Sequence, residues 1–212
     1  MRLTKLGHSC VRLDRDGRRL VIDPGVFSED DALAGAHGVL ITHQHPDHVD
    51  ATRLQRALAG DKDLRVWTNA DVAGALDQEF AGRVEVVAAG DRFEAAGLDV
   101  RVHGERHAVV RDDVPAVANT GFLIEGIFHP GDAFTVPDQS VARLLLPINA
   151  PWAKISETLA QLRAIGPTHV HPIHDALLSD VGRKTYGSHA EHVSAQVGSA
   201  FRWLNPGDTV DL

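Results

Sequence analysis

The sequence contains one cysteine, one methionine and one tyrosine in 212 residues. Because Cys10 has no second cysteine to pair with, an internal disulfide is excluded, which fits a reducing compartment. No run of about 18 apolar residues occurs, and the N-terminus lacks the continuous apolar segment of a secretory signal. We therefore expect a soluble, cytoplasmic protein that neither spans nor binds a membrane.

Blocks of positive charge are also absent from the sequence. Asp and Glu outnumber Lys and Arg by 29 to 21, and basic residues cluster only in short pairs such as Arg18-Arg19. An acidic surface of this kind disfavours a phosphate backbone as a partner. The composition predicts a small-molecule substrate rather than a nucleic acid, and it leaves homo-oligomer formation open.

The length and the hydrophobic content of 43% suit one globular domain that covers residues 1–212. Near the start, an Asp16-Gly17 turn signal predicts a hairpin between Leu3–Leu13 and Arg19–Ile22. Strand and helix patterns then alternate: "GVLITH" is typical of a buried strand, and "ATRLQRALAG" and "DVAGALDQEF" of helices, the second capped by Asp71.

The second half of the chain repeats this order of elements. Hairpins are predicted around Gly97 and around Glu125-Gly126, followed by a strand in "RLLLPIN", a helix in "SETLAQLRAIGP" and a last strand in "THVHPIH". A polar segment, "SDVGRKTYGS", leads to a C-terminal helical stretch in "AEHVSAQVGSAFRWL". Two halves that each place hairpins before β/α units predict an α/β fold in which helices cover two β-sheets.

Histidine is the residue type in excess, with 13 copies, and it is densest in "THQHPDH", which begins at position 42. Pro46 removes a backbone donor and keeps His45 extended, so this segment cannot lie inside a helix. Residues two apart in an extended chain point the same way, which lets His43 and His45 face one ion. Asp47 and His48 point elsewhere. The four side chains therefore cannot all reach one metal at the usual ligand distance of about 2.0–2.2 Å. The segment therefore predicts two metals.

The pattern formed by His43, His45, Asp47 and His48, H-x-H-x-D-H, resembles the signature of the metallo-β-lactamase-like superfamily. Three further stretches, "LGHSC", "HPGD" and "PIH", are similar to its small metal-dependent hydrolases, a branch that includes a lactonase acting on phosphorylated ascorbate. The resemblance covers essentially the whole chain. It implies an αβ/βα four-layer sandwich of two mixed β-sheets flanked by helices, with a dinuclear site at one edge of the sheets.

The resemblance also implies a full set of metal ligands, position by position. They are His43, His45 and His107 for the first metal, Asp47, His48 and His174 for the second, and Asp132 as the bridge. Imidazole and carboxylate suit Zn, which we favour, and also Mn or Fe. Two divalent transition-metal ions per chain are therefore expected.

Two of these ligands have competitors nearby. His103 precedes His107 by four positions, but His107 lies beyond the predicted strand end, where a ligand loop is expected. His169 and His171 share a strand face, whereas the family pattern places the ligand after "PI", at His174.

Further functional residues are expected around the metals. The predicted set comprises Asp47, His129 and Tyr186 as catalytic groups, and His8, Asp23, Asn119, Asn149 and Trp152 beside the ligands or the substrate. His189 and His192 are alternatives to Tyr186 as proton donor to the leaving group, and Arg183 and Lys184 are candidates for contact with an anionic substrate. A structural polar role is the alternative for His8, Asp23 and His129, and a buried inert thiol is expected at Cys10.

Two metals about 3.5–4 Å apart can lower the pKa of a shared water toward about 7 and deliver hydroxide to a carbonyl or phosphoryl centre. Asp47 could orient that hydroxide or collect its proton. "GHSC" lacks the G-x-S-x-G elbow of a serine hydrolase. We predict a dinuclear metal-dependent hydrolase acting on a small-molecule ester or lactone, with phosphodiester cleavage as the alternative. A di-iron redox protein and a non-catalytic metal-binding or sensor protein are the alternatives from other classes.

Overall fold

The computed structural model describes residues 1–76 and 78–212, whose strands form two seven-stranded sheets. The strands of the first sheet are β1 Arg2–Lys5, β2 Val11–Arg15, β3 Arg18–Ile22, β4 Gly38–Ile41, β5 Arg65–Thr68, β6 Val84–Val86 and β14 Thr209–Asp211. The strands of the second sheet are β7 Arg92–Ala95, β8 Leu98–His103, β9 Gly121–Ile124, β10 Ile127–His129, β11 Arg143–Pro147, β12 His169–Ile173 and β13 Ala200–Phe201. The α-helices are α1 Ala51–Gly60, α2 Ala70–Ala75, α3 Ile155–Ile165 and α4 Asp180–Gln196.

The two sheets share one topology. Their strand orders are β14-β1-β2-β3-β4-β5-β6 and β13-β12-β11-β10-β9-β8-β7. In each sheet an antiparallel meander, β1 to β3 or β7 to β10, continues into three parallel pairings. The predicted order of hairpins followed by β/α units in both halves is confirmed, and both sheets are mixed.

Three apolar clusters define four layers. The central cluster joins the facing sides of the two sheets, for example Leu13 of β2 and Val100 of β8. A second cluster packs Leu54 and Leu58 of α1 against the outer side of the first sheet, which confirms the predicted helix face. A third cluster packs α3 through Leu162, together with α4, on the outer side of the second sheet. The layers therefore run helix, sheet, sheet, helix, as the resemblance implied.

The N-terminal hairpin differs from its prediction. The stretch predicted as one strand, Leu3–Leu13, is divided into β1 and β2 by a tight turn at Gly7 and His8, so the meander starts with three strands rather than two. Gly7 has φ 102°, and a Cβ there would lie 2.6 Å from the backbone oxygen of Phe27. Only glycine fits this close approach of two backbones. The Asp16-Gly17 turn itself is confirmed.

The second predicted helix is shorter than its sequence pattern suggests. Its N-cap is Asn69 rather than Asp71, because the Asn69 side chain accepts hydrogen bonds from two backbone N–H groups of the first turn. The helix ends at Ala75, and a 3₁₀ helix follows at Gln78–Arg83. Residue 77 of the predicted segment lies outside the described residues.

The C-terminal region differs most from its prediction. The polar segment expected before the last helix is the first half of α4, which begins at Asp180 with the Ser179 side chain as its cap. The helix ends at Gln196 rather than continuing to Leu204, since Gly198 takes a left-handed conformation and leads into β13. Strand β12 is therefore followed by two further strands. No helix among residues 1–76 and 78–212 is both long and apolar enough to cross a membrane.

Candidate metal centre

The ligand-type side chains follow strands that end at one edge of the sandwich. In parallel sheets the carboxyl ends of strands lie on the same side, where substrate crevices form. Asp23 follows β3 and His43 follows β4 in the first sheet, whereas Asp132 follows β10 and His174 follows β12 in the second. Residues far apart in the sequence are thereby brought together.

The first ligand group consists of His43, His45, His107 and Asp132. One ligand atom from each lies within 4.8 Å of the others. Nε2 of His43 faces Nδ1 of His45 at 3.0 Å, as expected for side chains two apart in an extended segment. Oδ2 of Asp132 lies 3.3 Å from Nε2 of His107. This group contains the three histidines predicted for the first metal and the predicted bridge.

The second group consists of Asp47, His48, His174 and a fourth residue, His8, with ligand atoms again within 4.8 Å of one another. Oδ2 of Asp47 lies 3.4 Å from Nε2 of His174 and 3.8 Å from Nε2 of His48. The first three residues are those predicted for the second metal.

His8 contacts a ligand instead of serving as one. Its Nδ1 accepts a hydrogen bond from the backbone N–H of Ala176 at 3.2 Å. Burial lowers the pKa of His8, so the ring is neutral and its one proton lies on Nε2. That N–H points at Oδ2 of Asp47, 3.2 Å away. His8 therefore orients the Asp47 carboxylate.

Asp132 lies between the two groups. Oδ1 is 3.0 Å from Nε2 of His48, and Oδ2 is 3.1 Å from Nε2 of His174 and 3.3 Å from Nε2 of His107. Trp152 donates its indole N–H to Oδ2 at 2.9 Å. A carboxylate in this position reaches both groups, as the bridging role requires.

Gly131 and Asn119 hold the backbone of Asp132 in place. The side-chain oxygen of Asn119 accepts the Asp132 N–H at 2.9 Å. Gly131 has φ 62°, and a Cβ there would lie 2.3 Å from that same oxygen and 2.7 Å from Cβ of Thr42. A glycine is required, because any side chain would push Asp132 away from the histidines.

The outer nitrogens of the ligand imidazoles bind acceptors that fix their tautomers. The Thr42 hydroxyl donates to Asp23 at 2.7 Å and so accepts from Nδ1–H of His43 at 3.0 Å. Nδ1 of His48 lies 2.6 Å from Oδ2 of Asp23. Nδ1 of His107 faces the oxygen of Ala108 at 2.5 Å, and Nδ1 of His174 faces the oxygen of Asn149 at 2.7 Å. Such outer contacts leave each Nε2 lone pair free to bind a metal.

The inner atoms of the centre fit metal ions. Nε2 of His48, His107 and His174 and Oδ1 of Asp132 are buried and have no hydrogen-bond partner among the described residues. A buried polar atom without a partner is costly unless something else binds it. Imidazole nitrogens and carboxylate oxygens that converge in this way are ligands of Zn, Mn and Fe.

The electrostatics of the centre favour positive charge. Burial alone would lower the pKa of His48, but Asp132 and Asp23 outweigh it and raise the pKa well above its usual value. Burial also opposes the charge on His174, yet the neighbouring carboxylates of Asp132 and Asp47 raise its pKa to about 9. Burial favours protonation of Asp132, whereas the surrounding histidines hold its pKa well below the usual range. The carboxylates stay ionised and attract cations.

The comparison with known families adds an independent observation to this geometry. A model of the β-lactamase superfamily domain matches residues 2–174. The chain belongs to the β-lactamase superfamily. The ligand set derived above lies within the matched residues.

Relatives of this superfamily member cover most of its length. It is 37% identical to Protein Rv0786c of Mycobacterium tuberculosis over 88% of its own chain and 89% of the relative. It is 28% identical to a UPF0173 metal-dependent hydrolase of Methylobacterium nodulans, over 82% and 84% of the two chains. The metallo-β-lactamase fold protein YhfI of Bacillus subtilis superimposes with a TM-score of 0.75 at 14% identity, over 99% and 98% of the chains. The fold predicted from the resemblance is thereby confirmed.

The competing histidines of this superfamily member lie away from the two ligand groups. His103 ends β8, with Nδ1 3.9 Å from Asp138. His171 is buried in β12, where Nδ1 binds the oxygen of Arg202 and Nε2 accepts from Arg143. Burial lowers its pKa to about 4, so it is neutral. His169 starts the same strand, at the end away from His174.

His129 does not have the contacts of a catalytic group. It is fully buried, Nε2 faces the oxygen of Ser9 at 2.9 Å, and Nδ1 accepts the N–H of Gly131 at 3.1 Å. Both ring nitrogens are thus engaged by the backbone, and no atom is open to a substrate. These contacts support the turn before Asp132, and the catalytic role of His129 stays a prediction without a contact to carry it.

Tyr186 is also placed away from the reaction centre. It lies on α4, where its ring packs against the apolar cluster on the outer side of the second sheet. The described residues that line the cavity beside the metal centre do not include it. The structure therefore does not bring Tyr186 to the cavity, because helix α4 carries it to the outer layer. Its role as a proton donor stays a prediction.

The other polar residues of α4 have structural or solvent contacts. The Arg183 guanidinium lies 4.8 Å over the Trp203 ring and donates to Asn205. His192 accepts from Gln196 one helical turn later. Lys184 and His189 are exposed. The helix thus provides no residue that lines the cavity among those described.

A cavity of about 330 Å³ opens beside the centre. Five of the ligands line one side, and the rest of its wall comprises Val110, Arg111, Val114, Pro151 and Trp152. Trp152 was predicted at this site, and Asn149 contributes its backbone oxygen to His174. The valines and Arg111 were missed, because nothing in their spacing signals a pocket wall.

Several residues that position the ligands were also missed. Thr42 could have been suspected from its place between a strand and His43. Lys5 carried no signal: it is 1% exposed, pairs with Asp175 at 3.2 Å and donates to the oxygen of Pro172 two residues before His174. Burial, the largest influence, lowers its pKa.

Three residues other than glycine adopt a left-handed backbone conformation at the centre. His8, Asp23 and His174 have positive φ angles of 46°, 51° and 59°. Residues other than glycine seldom adopt this conformation, and each instance costs of order 1–3 kcal/mol unless the surroundings enforce it. Here the strand ends turn sharply to bring the three side chains inward.

Cys10 is buried, and burial raises the pKa of its thiol, as expected of an inert thiol.

Proposed function

We propose that this β-lactamase superfamily member is a dinuclear metal-dependent hydrolase that cleaves a carboxylic ester or lactone of a small molecule. The observation that carries the proposal is the meeting of two ligand groups at Asp132. The buried Nε2 atoms of His48, His107 and His174 have no hydrogen-bond partner among the described residues. The relative from Methylobacterium nodulans, a metal-dependent hydrolase, supports the same reaction class.

Seven residues would hold the two ions. They are His43, His45 and His107 on one side, Asp47, His48 and His174 on the other, and Asp132 between them. Two divalent transition-metal ions, Zn by preference, supply an activated water and polarise a substrate oxygen when bound. In ester hydrolysis the water oxygen bonds to the carbonyl carbon, the C–O bond to the leaving group breaks, and the leaving oxygen takes up a proton.

Asp47 is the residue that we assign to water and proton handling. It is a quarter exposed and lines the cavity, so it can touch a substrate. Burial favours its protonation, but the nearby His174 ring and the hydrogen bond from His8 hold its pKa well below the usual range. The carboxylate therefore accepts a hydrogen bond from the attacking water and orients it.

Trp152 and Asn119 keep the reaction geometry constant. Trp152 closes one wall of the cavity and donates to Asp132, while Asn119 fixes the backbone of the same carboxylate. Such preorganised contacts need no rearrangement during the reaction. We also propose a cytoplasmic location, on the ground that the single cysteine fits a reducing compartment.

A hydrolase panel tests this proposal. The zinc and manganese forms are assayed against uncharged esters, lactones, phosphodiesters, thioesters and β-lactams. Asp132→Asn, which keeps the shape of the side chain but removes its charge, is the matched control. We expect hydrolysis of esters or lactones by the metal forms and its loss in the variant. Turnover confined to phosphodiesters would show that the substrate is a phosphodiester rather than an ester. Equal turnover by Asp132→Asn would rule out a bridging role for Asp132.

A further inference from the structure

We propose that the cavity beside the metal centre selects an uncharged substrate with an apolar substituent, and that it discriminates against phosphorylated or polyanionic ones. This inference rests on the proposed hydrolase function and specifies the substrate class of that same site. It follows from the shape of the wall opposite the ligands, the charges on that wall, and the loop that carries them.

The wall opposite the ligands is apolar. Val110 and Val114 are 45% and 46% exposed, and both line the cavity together with Pro151 and Trp152. Trp152 is held rigidly by its hydrogen bond to Asp132 and by edge contact with Phe134. A hydrocarbon substituent of a bound substrate would cover the valine side chains. Removing this apolar surface from water favours binding.

The same wall offers little attraction to an anion. Arg111 is the only lysine or arginine among the described residues that line the cavity. Its guanidinium already forms a two-pronged ion pair with Asp113, with both N–O distances at 2.9 Å. A phosphate placed against this wall would therefore find no unpaired positive charge on it.

The loop that carries the valines also carries a ligand. His107 N–H binds the oxygen of Val117 at 3.0 Å, and Arg106 pairs with Ala118, so the loop is closed at its base. The backbone N–H of Ala108 binds the oxygen of Asp132 at 2.8 Å. The apolar wall is thus fixed relative to the ligands, and a substrate whose ester reaches the metals places its substituent against the valines.

The cavity volume sets the size of the substrate. About 330 Å³ is near the lower end of the roughly 300–1,000 Å³ that ligand pockets occupy. A compact ester or lactone with one hydrocarbon substituent fits this space. The chemistry of the wall favours such a molecule over a sugar phosphate of similar size.

Binding of two matched probes tests the inference without relying on turnover. The probes are hydroxamic acids of equal chain length, one ending in a methyl group and the other in a phosphonate, and calorimetry gives their dissociation constants for the zinc-loaded protein. We expect the methyl-ended probe to bind at least about tenfold more tightly, because only its tail covers apolar surface. Equal or tighter binding of the phosphonate would overturn the inference.

Two valines of the same loop provide matched variants. Val114 lines the cavity, whereas Val109, which is 60% exposed, is not among the described lining residues. Val114→Asp should remove the preference for the methyl-ended probe, and Val109→Asp should retain it. Val110→Asp serves as a second lining variant, and circular dichroism and zinc content verify that each variant is folded. The same effect from Val109→Asp and Val114→Asp would contradict the assignment.

Turnover separates this inference from the proposed function. If the protein prefers the methyl-ended probe but hydrolyses no ester in the panel, the cavity assignment is supported and the hydrolase proposal is overturned. If it hydrolyses carboxylic esters that carry a phosphate substituent faster than uncharged carboxylic esters, the hydrolase proposal stands and the cavity assignment is overturned.

Discussion

Replacing Asp23 by asparagine perturbs the metal centre without touching a ligand atom. Asp23 is fully buried, and its two oxygens accept from the Thr42 N–H at 2.8 Å and from the Thr42 hydroxyl at 2.7 Å. Oδ2 also binds Nδ1 of His48 at 2.6 Å. Asparagine has one acceptor oxygen, so if that oxygen stays on the Thr42 N–H, an amide N–H₂ faces His48.

The consequence for His48 is a change of tautomer. Because the amide N–H₂ is a donor, Nδ1 of His48 must act as the acceptor, and the ring proton moves to Nε2. Nε2 is the nitrogen that faces Asp132 and would bind the metal. A protonated Nε2 cannot bind a metal. Loss of an outer partner of a ligating imidazole typically costs about 10- to 100-fold in metal affinity. That range corresponds to about 1.4–2.7 kcal/mol.

Competition with a chromophoric chelator measures this loss. The zinc affinity of Asp23→Asn is compared with that of the wild type at pH 7, and thermal melting of the metal-free forms verifies folding. Asp99→Asn is the control, since it makes the same chemical change at an exposed ion pair with Arg92. We expect weaker binding by Asp23→Asn at one site and no change in Asp99→Asn. Unchanged affinity in Asp23→Asn would refute the tautomer argument.

Three further predictions concern the backbone, the charges and the support of the centre. Gly25→Ala would place a Cβ 2.0 Å from the backbone of the histidine loop, so metal content should fall, whereas Gly74→Ala meets nothing within 4 Å and should stabilise its helix by up to about 1 kcal/mol. The pKa of His174 is raised from 6.5 to about 9, so its protonated ring stabilises the metal-free fold. This stabilisation is fully present below pH 6.5 and is lost as the pH rises through 9. Melting temperatures of the metal-free protein should therefore drop between pH 6.5 and 9, and a flat profile would contradict this charge arrangement. Lys5→Met leaves the carboxylate of Asp175 buried without its cation and should lower the free energy of unfolding by about 3–5 kcal/mol, as measured in urea; a change below about 1 kcal/mol would show that the pair is not a support.

The sequence was most informative where local chemistry and position coincide. The His43 to His48 segment follows a buried strand, and its proline excludes a helix. The sequence alone therefore indicated that these side chains face two different metals. His107, Asp132 and His174 were assigned by resemblance, and the structure brings them to that segment because strands of two sheets end at one edge. The sheet order that does this depends on contacts between halves of the chain.

Other features could not be inferred because they depend on tertiary contacts. The oxygens of Ala108 and Asn149 orient two ligands, and the sequence gives no signal for a backbone acceptor. The segment before the last helix contains glycines and short polar residues, which are weak helix formers. In the structure, packing of Tyr186 and Ala190 on the second sheet stabilises this part of α4. The same packing removes Tyr186 from the cavity.

The central claim is that two ions bind on either side of Asp132. Anomalous diffraction from crystals of the zinc-loaded protein measures this most directly, because it places each metal without reference to activity. The account predicts two peaks about 3.5–4 Å apart, one beside His43, His45 and His107 and the other beside Asp47, His48 and His174. A single peak, or metal bound away from Asp132, would contradict it.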